Sequence, residues 1–477
     1  MKKDILRKNI LKKAVIIIMI VISSYGMISC GSQTKEQSEV HVAANGSDES
    51  GNGTQEQPYA TISGAASGHP GSLITVHGGD YEPVTLRSDC SGTEVSPTVI
   101  RAAAGETALI RADDGAGISL SDVQNISIEG FEVIGGTHGI ECFSTGETGN
   151  EPLENISIRN CKVHGVRGVH GICVYACNDL APVSNLTIEG CEVYDCECGS
   201  SESLVVNGNI DGFLIAGNTV HDNNNIGIDM IGFEGTAKHP DGSGFDNPFD
   251  SDQVRNGVCR DNVVYNISSD GNPAYFEDGR YELCADGIYV DGGRSIEIYN
   301  NFIFNCDIGL EVATEHSPDD NELFRVTDVR VYDNDIADCR GWTGLCFGGY
   351  DRDLGFTEDC EIDHNTLADN SCQIAVQRSR NNRIHNNLIL GGDTGVEFSE
   401  DCDPDDMANA ISQNAAAGIE DEDSWSGEYG RLYPDRNEIS DGFRSLIDDI
   451  GSRFVPDGDI MKTYENVQAQ LRNTATG

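Results

Sequence analysis

Four segments of the chain share one pattern, a glycine followed by alternating apolar residues: Gly227-Ile-Asp-Met-Ile, Gly287-Ile-Tyr-Val-Asp, Gly309-Leu-Glu-Val-Ala and Gly344-Leu-Cys-Phe-Gly. Alternate side chains of a strand face opposite sides. Aligning the glycines turns Ile228, Met230, Ile288, Val290, Leu310, Val312, Leu345 and Phe347 to one side. Asp229, Tyr289, Glu311 and Cys346 then form a column on the other side, with Asp291 in the next column. In neighbouring parallel strands, spacings of about 4.8 Å across and about 6.7 Å along put Asp291 roughly 8 Å from both Asp229 and Glu311. Three carboxylates at such a spacing suit glycoside hydrolysis, where one carboxylic acid protonates the leaving oxygen and another carboxylate attacks or activates water. Crowding of like charges would raise one pKa and so make the acid. The same chemistry offers a second use, because Asp229, Asp286 and Asp291 present hard oxygen ligands for calcium.

The turns that carry these residues also carry long insertions, approximately 234–256 and 267–284, of the kind that build binding walls on a solenoid. Around them gather Glu234, Lys238, His239, Asp241, Asp286, Glu315, His316, Tyr350 and Asp351. Carboxylates beside aromatic rings fit a sugar, which offers hydroxyls at its rim and an apolar ring face. Tyr289, Glu315, His316, Tyr350 and Asp351 are therefore the expected substrate contacts, while His239 reads as a loop-surface residue. If the reaction is instead elimination from an acidic polysaccharide, a basic side chain must remove a proton. Lys238 is the leading candidate, since the chain beyond the N-terminal leader holds only Lys35, Lys162, Lys238 and Lys462, and Arg294 stands behind it.

What must position these residues is a repeat. Asn125-Ile-Ser-Ile-Glu-Gly-Phe-Glu-Val, Asn155-Ile-Ser-Ile-Arg-Asn-Cys-Lys-Val and Asn185-Leu-Thr-Ile-Glu-Gly-Cys-Glu-Val recur at intervals of 30, and later copies begin near Asp211, Gly257, Ser295, Asp328, Asp359 and Asn382. Each copy alternates apolar and polar residues, breaks at Gly or Asn, and alternates again, which reads as strand, turn, strand. So short a unit cannot bury its inner face alone, but a stacked coil gives every copy neighbours above and below. Asparagine at the turns accepts left-handed backbone, and its amides can ladder along a stack. Cys161 and Cys191 occupy equivalent places, as do Cys196, Cys306 and Cys339, so the cysteines read mainly as core-filling columns, with Cys173–Cys177 and Cys196–Cys198 as local disulfide candidates. There is no zinc-finger spacing.

Composition narrows the partners. Residues 1–29 hold six of the 31 basic and one of the 79 acidic residues, leaving 25 against 78 and a formal charge of −53. Nucleic acid is excluded, since phosphate binding needs clustered Lys and Arg. The acidic body has no attraction for a bilayer surface.

The leader runs from Lys2, Lys3, Arg7, Lys8, Lys12 and Lys13 through the apolar stretch Ala14–Ile22 to Met27-Ile28-Ser29-Cys30. That ending resembles the lipobox of bacterial lipoproteins. The resemblance implies export, with Cys30 lipidated as the first mature residue and the membrane engaged through that anchor alone. The segment from His41-Val-Ala-Ala-Asn-Gly-Ser-Asp through Gln57-Pro-Tyr-Ala-Thr-Ile to Ile74-Thr-Val-His-Gly-Gly-Asp-Tyr resembles the entry turns of bacterial right-handed parallel β-helix proteins. Polysaccharide lyases, glycoside hydrolases and epimerases share that architecture, and among its pectate lyases calcium neutralises the substrate carboxylate while Lys or Arg is the base. The expectation is an all-β chain divided into a leader at 1–29, a linker at 30–40, a right-handed parallel β-helix at 41–400, and acidic loops with a short helix over Asp459–Asn473 at 401–477. The expected molecule is a monomeric, polysaccharide-degrading surface lipoprotein, using carboxylates alone or calcium as well. The alternative is a glycan-binding or structural surface protein without chemistry.

Overall fold

The computed structural model describes residues 37–146, 151–239, 251–316, 324–349, 355–399 and 408–433. By internal contacts the chain divides into Met1–Ser38 and Glu39–Gly477, and the architecture below belongs to the second unit. The leader with Cys30, the residues Asp241, Tyr350 and Asp351, and the segment Asp459–Asn473 lie outside the described residues. No described helix is long and apolar enough to cross a membrane.

The strands of each turn separate into three long sheets in which successive turns pair in parallel, giving a right-handed parallel β-helix. The recurring asparagine segments stack as their spacing requires: Ile126 pairs with Ile156, and Ile158 with both Ile128 and Ile188. Asn125, Asn155 and Asn185 have φ of 50°, 59° and 52°, a left-handed backbone that asparagine accepts more readily than most residues. Their side-chain amides hydrogen-bond from turn to turn.

A second ladder lies inside the coil, through Asn218, Asn262, Asn301, Asn334, Asn365, Asn387 and Asn414. At each step the Oδ1 of the next asparagine accepts from both the backbone N–H and the Nδ2 of the one before, at 2.9–3.0 Å. These residues are nearly all fully buried, so the ladder satisfies polar backbone that the tight turns leave unpaired. Consecutive rungs are 22 to 44 residues apart in sequence, so turns differ in length without leaving register.

Valine, isoleucine and leucine of all three sheets fill one continuous core. Helix α1, Ile62–Gly68, plugs its first turns with Ile62, Ala65 and Ala66, and the Thr61 hydroxyl caps it by accepting from the Gly64 N–H. The cysteines behave as column fillers. All fifteen described are free, Cys173, Cys177, Cys196 and Cys198 included, and Cys161 and Cys191 share a hydrogen bond between turns.

The coil is longer than the expected 41–400. Its first strand, Glu39–Val42, begins inside the expected linker, and Ala410–Ser412, Asn414–Ala417 and Gly430–Tyr433 continue two of the sheets. Asn409 and Asn414 carry the amide hydrogen bonds into these turns, past the acidic stretch that interrupts the sequence pattern. Glu420-Asp-Glu-Asp is a loop, as expected, and ends in a short 3-10 turn at Glu422–Ser424.

Candidate active site

The four glycine segments belong to one sheet. Its central strands are β1 (His138–Ser144), β2 (His170–Ala176), β3 (Leu204–Gly208), β4 (Ile228–Ile231), β5 (Asp286–Asp291), β6 (Ile308–Ala313) and β7 (Thr343–Phe347). The glycines are there because the backbones approach closely. A Cβ on Gly227 would stand 2.6 Å from the Gly287 carbonyl oxygen, and one on Gly309 would stand 2.4 Å from that of Gly344. All eight apolar residues expected to face inward are in the core. Asp229, Tyr289, Glu311 and Cys346 are in register on consecutive turns, as the alignment requires, and Asp291 lies beside them opposite Ala313.

On this outer face the side chains are nevertheless covered. Asp229, Asp286, Tyr289 and Asp291 are 2%, 3%, 3% and 6% exposed, values at which a carboxylate must find partners or hold its proton. Burial, reinforced by the charges of Glu202 and Asp291, holds Asp229 well above the usual carboxylate range, while its Oδ1 accepts from the Met230 N–H at 2.7 Å. Asp286 is also held high, by burial and then by Glu311, with which it shares a side-chain hydrogen bond. One of its oxygens is buried without a partner. Burial and the neighbouring Glu315 push Glu311 up to about 8. Asp291 is anchored differently: its Oδ1 accepts from the Glu315 N–H at 3.1 Å and its Oδ2 lies 3.2 Å from His316 Nε2. Burial would lower His316, but the Asp291 hydrogen bond and the surrounding carboxylates raise it to about 9. The result is a set of proton-holding carboxyls next to an Asp291–His316 ion pair.

The expected residues thus fall into two groups. Asp229, Asp286, Tyr289, Asp291, Glu311, Glu315 and His316 come together. Glu234 reaches their edge, accepting from Asn207 Nδ2. Lys238 does not join them: it is exposed, and its backbone bridges to Asn178. His239 pairs instead with Asp179 at 2.6 Å. Arg294 sits on a strand of a neighbouring sheet, half-buried. The 267–284 insertion is pinned by Asn272, which donates to the Gly199 and Asn224 carbonyls, and by Asp307, which accepts from the backbone and hydroxyl of Ser269. Its hairpin exposes Phe276 and Tyr281.

Two features were missed by the glycine alignment. Glu202, level with His170 across the sheet, joins the cluster and is raised to about 8 by burial and by Glu234. Ser203 follows it where other turns have glycine, so that turn did not match the pattern. The second feature is a triad. His138 and His170 are opposed on β1 and β2, and their ligand atoms and the Cys173 sulfur all lie within 4.8 Å of one another, close enough to hold a metal ion. The described residues form no such group from Asp229, Asp286 and Asp291, the set expected to hold calcium.

The fold and this face define a right-handed parallel β-helix with clustered carboxyls on one sheet, and the coil is shared with solved structures. The GH136 lacto-N-biosidase of Eubacterium ramulus superposes with a TM-score of 0.55 at 13% identity, over 80% of this chain and 68% of its own. The A-module of the mannuronan C-5 epimerase AlgE6 of Azotobacter vinelandii superposes with a TM-score of 0.48 at 14% identity, over 75% of this chain and 89% of its own. Residues 245–466 match the family model described as periplasmic copper-binding protein (NosD). Among the described residues of that stretch no three donors gather as a metal group, and the triad lies ahead of it. The protein YwoF of Bacillus subtilis (strain 168), described as uncharacterized, is 33% identical over 410 residues, which are 80% of this chain and 81% of YwoF. The chain belongs to the YwoF family.

Proposed function

We propose that this chain is an exported enzyme that hydrolyses glycosidic bonds of a polysaccharide, held at the cell envelope by a lipid on Cys30 and acting as a monomer. The observation that carries the reading is the division of labour among the clustered carboxyls. Glu311, raised to about 8 by burial and Glu315 against the lowering effect of the hydrogen bond it accepts from Asp286, keeps a proton at neutral pH and serves as the general acid toward the leaving oxygen. Asp291, held in place by the Glu315 N–H and paired with His316, is the carboxylate that attacks or activates water. Asp229 and Glu202 complete the acidic floor, and Tyr289 gives it an aromatic element. The net negative charge of the whole chain repels a polyuronate and favours a substrate without carboxylates.

Elimination assisted by calcium is the competing chemistry, and the position of Lys238 weighs against it, because an exposed side chain beside Asn178 is not directed at the carboxyls by any described contact. The test is to incubate the chain lacking residues 1–30 with neutral and acidic polysaccharides, with and without calcium. New reducing ends without an unsaturated, ultraviolet-absorbing product support hydrolysis. The unsaturated product in calcium alone would replace hydrolysis with elimination, and binding without any product would replace catalysis with glycan recognition.

A further inference from the structure

The triad differs from the carboxyl cluster in chemistry and adjoins it in position, with His170 Nδ1 3.5 Å from the Glu202 carboxylate on the next turn of the same sheet. His170 is 2% exposed and Cys173 is fully buried, and Asp229, Tyr289 and Cys346 further along the same outer face are buried as well. The sheet sets their spacing: His138 and His170 are in register, and Cys173 follows His170 by three residues along β2. The histidine rings lie 5.5 Å apart between centroids.

The orientation of His170 matters most. Its Nδ1 is 3.0 Å from the Glu202 backbone oxygen, which can only accept, so Nδ1 carries the proton and Nε2 presents a lone pair. A carbonyl on the far nitrogen is the arrangement that fixes tautomer and ring plane in metal-bound histidines. The Nε2 lone pair meets the Tyr175 hydroxyl at 2.9 Å, and Tyr175 shares the outer face of the strand with Cys173. His138 is steadied in turn by Thr137 Oγ1, 3.2 Å from its Nδ1.

We propose that His138, His170 and Cys173 form a binding site for a thiophilic transition-metal cation, of the Zn(II) or Cu(I) class. One thiolate and two imidazoles are soft and borderline ligands that suit these ions and not calcium, which takes oxygen. The donor atoms need to draw together only modestly, since a tetrahedral site with bonds of about 2.0–2.3 Å separates its ligands by roughly 3.5 Å. On binding, Cys173 gives its thiol proton to the solvent and forms the sulfur–metal bond. The cation takes the place of the Tyr175 hydroxyl proton at His170 Nε2, and the Tyr175 hydroxyl turns away with its hydrogen. Three protein ligands leave a fourth position open.

The test uses the whole purified chain, reduced and stripped of metal, titrated with Co(II) as a spectroscopic stand-in for Zn(II) and, in a second arm, with Cu(I) against a chromophoric chelator. The expected result is one ion per chain and, in the cobalt arm, an intense near-ultraviolet sulfur-to-cobalt band with tetrahedral visible bands. Cys173→Ser, which nearly conserves shape, should abolish the sulfur band, and His138→Gln, at the more accessible ligand, should weaken binding about a hundredfold. Far-ultraviolet circular dichroism checks that both variants keep the coil. If binding occurs in one arm only, that arm names the ion. No binding in either arm, or a sulfur band that persists in Cys173→Ser, overturns the site, as does unchanged affinity in His138→Gln.

Discussion

Replacing Glu311 with Gln should make the protein more stable in mild alkali, and the size of the effect follows from the burial of that carboxyl. In the folded chain Glu311 is raised from 4.5 to about 8. The folded state therefore holds the proton more tightly than the unfolded state does. A carboxyl raised in this way contributes its stability below pH 4.5, loses it as pH rises from there to about 8, and leaves the fold carrying a buried charge above that. A shift of that size corresponds to about 5 kcal/mol, and partial access of the Glu311 side chain to solvent brings the expected figure to about 3–4 kcal/mol. Glutamine keeps the shape and a carbonyl oxygen that can accept the hydrogen bond from Asp286, but it never ionises. The assay is denaturant unfolding of the parent and of Glu311→Gln at pH 5 and at pH 9. The two proteins should be close at pH 5, and the variant should be ahead at pH 9 by the amount above. Parallel stability curves from pH 5 to pH 9 would refute the reasoning and show that Glu311 is ionised in the fold throughout.

Asp229→Asn, Asp291→Asn and Glu311→Gln should all fold, and at least two should lose about a hundredfold in turnover, the usual worth of a general acid or base. Full activity in all three, measured as reducing ends on the polysaccharide found to be cleaved, would remove the site assignment. Asn334→Ala in the inner ladder strands the Asn301 N–H and the Ile298 carbonyl, and should cost about 3 kcal/mol or more. Amide hydrogen exchange should locate that loss in the turns on either side of the gap, and unchanged protection there would mean that the ladder adds nothing to stability. Cys30→Ala should abolish lipid labelling and move the protein out of the detergent phase. Unchanged partitioning would replace the lipid anchor with an uncleaved leader.

The coil was legible because its strongest constraints are periodic. Asn125, Asn155 and Asn185 recur at 30 because each must take the left-handed turn, and Gly227, Gly287 and Gly309 recur because a Cβ there meets the backbone of the next turn. From those glycines the column Asp229, Tyr289, Glu311 and Cys346 could be laid out before any coordinates. What escaped was set by non-periodic chemistry. Glu202 was hidden by Ser203, and His138 and His170 precede their glycines, outside the alternation that was counted. Cys173 was visible within Gly171-Ile-Cys-Val-Tyr, but it was weighed as a disulfide partner for Cys177, and the sheet places it beside two imidazoles instead. Lys238 was nominated by scarcity, a criterion that carries no geometry. The end of the coil was set too early because the acidic stretch after residue 399 breaks the alternation, although Asn409 and Asn414 mark turns that resume beyond it.

The inner ladder has a consequence for descent. Its rungs connect whether 22 or 44 residues separate them, so mutation can lengthen, trim or exchange an excursion while the amides stay paired. The scaffold and the loops over the carboxyls are then free to diverge at different speeds. Two descendants of one ancestor could keep every rung and part company over which ligand they receive.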